Sequence, residues 1–131
     1  MASWDDVRRL ALALARTTER TSYGNPAWAV SDKVFAWERP LRAADREHLA
    51  DAPEGPLLGV RVPDLGAKEA LLADDPAVYV TTPHFDGHPS VLVHLERIGL
   101  DELTELLEEA WLARAPKRVA AAHLAERATG S

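Results

Sequence analysis

His84, Asp86 and His88 alternate along the segment Thr82-Pro83-His84-Phe85-Asp86-Gly87-His88-Pro89. On an extended strand, alternate residues share a face, so two imidazoles and a carboxylate there could close on one metal ion. Asp86-Gly87, however, is a dipeptide that favours a two-residue type I′ turn, and a turn at that point breaks the alternation. The turn is the better-founded reading. It sets Phe85 opposite His88, leaves the histidines at the edge of a loop, and assigns neither a metal nor a cofactor. His94 follows on the next apolar run, and nothing in the spacing requires it as a ligand.

The basic residues suggest a different chemistry. Residues 111–127 hold four basic side chains, at 114, 117, 118 and 127, against the single acid Glu126. Pro116 suits the first turn of a helix, so Lys117 and Arg118 would flank backbone N–H groups that favour an anion. Arg114, Lys117 and Arg118 therefore fit phosphate. The ordinary alternative is a solvated helix face pairing with Glu105, Glu108 or Glu109. Lys33 sits in a polar turn between two β-favouring runs. With Arg39, Arg42, Arg46 and Arg61 it could supply the other half of a nucleic-acid surface, although a charged turn also blunts strand-edge pairing.

Four tryptophans, Trp4, Trp28, Trp37 and Trp111, could stack on bases, but large aromatics mostly bury, and Trp4 and Trp111 fall on apolar helix faces. Trp28 and Trp37 flank the first hairpin turn, and one of them could be exposed. Asp101, Glu102, Glu105, Glu108 and Glu109 form an acidic run without the spacing of a carboxylate cage, which reads as a solvated helix face. Catalysis finds no constellation. The sequence has no nucleophile elbow, phosphate loop or paired-histidine helix motif. Ser90 beside His88 is too local to imply a triad.

The elements that must position these residues are legible from periodicity. Ser3 with Asp6 forms a capping box, and Trp4, Val7, Leu10, Ala11 and Leu14 recur at helical spacing, which predicts a helix over 4–19. Tyr23-Gly24-Asn25-Pro26 is a turn. Residues 27–30 and 34–38 then form a hairpin around Ser31-Asp32-Lys33. Residues 39–56 read as a loop with a helical turn near 44–49. A strand follows over 57–62, ended by Pro63, and Asp64 caps a helix through Ala73. Residues 77–82 and 91–95 form the second hairpin. Gly99 starts an amphipathic helix carrying Leu103, Leu106, Leu107, Ala110 and Trp111. Pro116 opens a last helix, which Val119, Ala120 and Leu124 would dock. The expectation is one α+β domain, an antiparallel sheet of about five strands built from hairpins with helices packed mainly on one face.

The chain of 131 residues has no cysteine, which excludes disulfides and thiolate chemistry, and its net charge is −6. A field of that sign opposes a polyanion, so any nucleic-acid contact needs a local basic face. Residues 1–6 lack the basic and apolar stretches of a leader, and no apolar run reaches the length of a membrane span. The expected setting is cytoplasmic, without membrane contact.

Several pieces together resemble a known family. Gly24-Asn25-Pro26-Ala27-Trp28, Lys33-Val34-Phe35-Ala36, Thr82–Val93, the Leu103–Trp111 helix and Ala115-Pro116-Lys117-Arg118 occur in the order and spacing of the YjbR/MmcQ proteins. The resemblance covers nearly the whole chain. It implies a frataxin-like α+β fold with wing-like hairpins and no catalytic residues. Because members are often labelled DNA-binding, it also implies a non-catalytic protein touching DNA weakly through Lys33, Arg61, Arg114, Lys117 and Arg118. The alternative is a protein- or small-ligand-binding module acting as a homodimer.

Overall fold

The computed structural model describes residues 2–22, 24–39, 57–81, 85 and 87–129. Helix α1 spans Trp4–Leu12. Its start is the expected capping box: the Ser3 N–H donates to Asp6 Oδ2 at 2.9 Å, and the Asp6 N–H donates back to Ser3 Oγ. The sequence predicts this helix through residue 19, but it stops at Leu12. Arg16 turns through a left-handed φ of 55°. The β-branched pair Thr17-Thr18 then begins strand β1, Thr17–Ser22. Branching at Cβ favours the extended chain, and β2 (Asn25–Val30) supplies the partner that satisfies its backbone.

β2 turns into β3, Lys33–Glu38. Ser31 and Asp32 both take positive φ, 45° and 73°, as a type I′ hairpin turn requires. After β4 (Leu57–Arg61), Asp64 accepts the Ala67 N–H at 2.8 Å and caps α2, Leu65–Asp74. Strand β5 is Tyr79–Val80 and β6 is Ser90–His94. Helix α3 runs from Leu100 to Arg114, with Gly99 at its N-cap, and α4 from Lys117 to Thr129.

One six-stranded sheet results, in the order β1-β2-β3-β4-β6-β5 with antiparallel neighbours. The sixth strand is β1, taken from the predicted helix. The strand expected over 77–82 shrinks to β5, and its link to β6 runs through residues 81–89 instead of two turn residues. A reverse turn does form there: the His88 N–H donates to the Phe85 carbonyl at 3.0 Å and Gly87 has a φ of 76°. β5 and β6 pair antiparallel as the predicted hairpin requires, Tyr79 opposite Val93 and Val80 opposite Leu92, while the other edge of β6 pairs with β4 along its whole length and the Val62 N–H bonds the Pro89 carbonyl. Asp86 lies outside the described residues, as does the predicted loop over 40–56.

Helices α1 and α3 cover one face of the sheet. Val7, Ala11, Leu103, Leu107, Ala110 and Trp111 bury against a row formed by Trp28, Ala36, Val60 and Val91. The next row, Ala27-Trp37-Gly59-Leu92, faces the other way. There the Trp37 indole lies where a Cβ on residue 59 would be, so that position takes only glycine without displacing the ring. Helix α4 folds back on α3 with the His123 ring 4.7 Å from Trp111. Val119 docks as predicted, whereas Leu124 stays half exposed.

Candidate nucleic-acid interface

The strand register fixes where the basic residues gather. Val30 pairs with Lys33 and Thr17 with Val30, so Lys33 and the start of β1 share one end of the sheet. The Ser31 N–H donates to the Arg16 carbonyl at 3.2 Å and ties that corner together. Ala36 pairs with Val60, so β3 followed back to Lys33 and β4 followed on to Arg61 arrive at the same end. The Trp111 indole N–H donates to the Ala15 carbonyl at 2.9 Å, which brings the C-terminal end of α3 there too. Arg114 closes that helix, and Lys117 and Arg118 follow at the exposed first turn of α4. All five basic positions singled out from the sequence therefore reach one end of the sheet.

Arg16 joins them. Sequence reasoning missed it, because an overextended helix left it as one more solvated position. The clue was the Thr17-Thr18 pair directly after it.

Three cations elsewhere on the sheet and α1 are paired with acids. Arg8 binds Glu19 at 2.7 Å, Arg9 binds Asp6 at 3.3 Å and Arg20 binds Asp32 at 3.0 Å. Arg16, Lys33, Arg61, Arg114, Lys117 and Arg118 form no ion pair among the described residues. Two acids near this end are already engaged: Asp32 by Arg20, and Asp64 by the α2 cap. Burial, and then the neighbouring charge of Arg114, hold the Arg61 guanidinium below its ordinary value. Arg114 Nε is itself buried without a hydrogen-bond partner. Two half-buried like charges with an unmet donor make a place where an anion is favoured and a cation is not.

The remaining candidates disperse. Arg39 is buried, with its guanidinium 5.3 Å from the Phe85 ring centre, so it belongs to the fold's interior and not to a surface. Arg42, Arg46, His84 and Asp86 lie outside the described residues. His88 is exposed, and no group of three metal-capable side chains occurs among the described residues. Trp111 and Trp28 are buried and Trp4 stacks on Trp28 at 6.4 Å, so these three serve the core. Trp37 is half-buried beside Phe85. His94 is buried in β6, where burial and then the Arg97 charge hold its imidazole below the ordinary range. No described helix is long and apolar enough to cross a membrane.

A family model described as YjbR matches residues 12–113. Proteins of Mycobacterium tuberculosis and Mycobacterium bovis, each described as uncharacterized, are 52% identical over 129 residues, covering 95% of this chain and 98% of theirs. Among solved structures, a Deinococcus radiodurans protein with a domain designated DUF419 superposes with a TM-score of 0.65, at 19% identity, over 86% of this chain and 78% of that one. At that identity the likeness shows the fold alone.

Proposed function

The chain belongs to the YjbR family, and we propose that it works as a binding protein, not a catalyst, whose basic sheet end contacts the phosphate backbone of DNA. The observation that supports this reading most is the Arg61–Arg114 pair: neighbouring like charges, with the Arg114 Nε unmet. Such a pair is unfavourable alone and relieved by an anion between or beside it. Lys33 on its hairpin tip, with Lys117 and Arg118 on the opposite flank, would extend the contact along successive phosphates. A cytoplasmic setting accords with that partner.

The molecule as a whole is anionic, at −6, so the contact is local, weak and steeply salt-dependent. It also carries little sequence information, since phosphate contacts position a protein without reading bases. The test is a fluorescence-anisotropy titration of a short duplex at low salt. Lys117→Glu with Arg118→Glu should weaken binding by roughly tenfold or more, because each reversal replaces an attraction with a repulsion. Unchanged affinity in that variant would remove α4 from the interface, and absence of binding by the unsubstituted chain would end the proposal.

A further inference from the structure

A cavity of about 470 Å³ opens between α2 and α3, a size typical of sites for small organic ligands. Its apolar lining comes from Val62, Leu71 and Leu106. Its charge comes from Asp74 at the end of α2 and from Glu102, Glu105 and Glu109 on α3. Positions 102, 105 and 109 fall on one face of that helix, one above another. Arg61 is the single cation among the described lining residues.

Two features make this more than an acidic surface. First, the carboxylates rim a cavity whose floor includes the buried apolar side chains Val62 and Leu106, surface that an apolar body can cover. Second, one of them is fixed. The buried Tyr79 hydroxyl donates to Glu102 Oε1 at 2.6 Å and anchors that carboxylate at the cavity wall. Asp74, Glu105 and Glu109 form no ion pair among the described residues. The cavity shares Arg61 with the basic sheet end, but four carboxylates outnumber that one cation here, so the cavity favours a cation over an anion.

We propose that the cavity between α2 and α3 binds a small organic cation, an ammonium group carried on an apolar body. The ammonium meets the carboxylates of α3, and the apolar body displaces water from Val62, Leu71 and Leu106.

Three probes of one shape and different charge test this: 2-phenylethylamine, 2-phenylethanol and phenylacetate. Each is titrated into the full, isotope-labelled chain while backbone amide shifts are followed. The amine should bind roughly tenfold tighter than the alcohol, with shifts concentrated in α2 and α3, and phenylacetate should give none there. Glu105→Gln with Glu109→Gln should remove most of the amine's advantage while leaving the alcohol unaffected. Ala70→Trp, at an exposed lining position, should block both. Equal binding of amine and alcohol, shifts centred elsewhere, or no shifts up to roughly 10 mM amine would overturn the proposal. The Glu105 and Glu109 variant should retain DNA binding, so a failure here and a failure of the DNA reading are separable.

Discussion

Arg114 places a donor, Nε, inside the protein with nothing to receive it, next to a second guanidinium. An unmet buried donor costs about 1–3 kcal/mol, and a half-buried like charge adds to that. Arg114→Met keeps the aliphatic stem and removes both penalties. The expected outcome is a rise in stability of about 1 kcal/mol in urea unfolding, together with weaker DNA binding. A variant that lost stability instead would show that Arg114 holds the fold and is not kept for a ligand. His94 gives a pH signature of its own. Its folded-state value lies below the ordinary 6.5 because burial, and then Arg97, disfavour the imidazolium. The unfolded chain therefore binds a proton that the folded chain refuses. Stability is full above pH 6.5 and falls as pH drops from there towards the folded value. Equilibrium unfolding between pH 7.5 and pH 5 should show that loss, and His94→Gln should flatten its share of the slope.

Among the elements, β3 and β4 are joined by a side-chain fit as well as by the ladder. The Trp37 indole occupies the space over Gly59, so Gly59→Ala should destabilise the protein by about 1–3 kcal/mol through displaced packing, read as a lower melting temperature. Many element boundaries were open to local reading. The Ser3, Asp64 and Gly99 caps all stand where the sequence sets them, because capping is chemistry between neighbours in the chain. The end of α1 was not legible in the same way. Ala11-Leu12-Ala13-Leu14 continues a helical period, and what diverts the chain at Arg16 is the open edge of β2, which a local window does not contain. The residue types of the basic surface were legible too, but their convergence was not. It depends on strand register and on the Trp111–Ala15 hydrogen bond, which spans 96 positions of sequence. The cavity between α2 and α3 had no local signature at all, since neither helix forms it alone.

Taken whole, the molecule carries its charge in separated regions. An excess of acid sets the net value at −6, while six cations without ion-pair partners among the described residues collect at one end of the sheet. On the proposed reading, that separation would let an acidic protein approach a polyanion end-on, and any such contact would depend on ionic strength. The most direct measurement is the salt dependence of duplex binding by fluorescence anisotropy. If Lys33, Arg61, Arg114, Lys117 and Arg118 all meet phosphates, log affinity should fall against log salt with a slope of about −4.5, and each neutralising substitution should reduce that slope by about 1. A slope near zero, or no binding at roughly 20 mM salt with micromolar protein, would contradict the account.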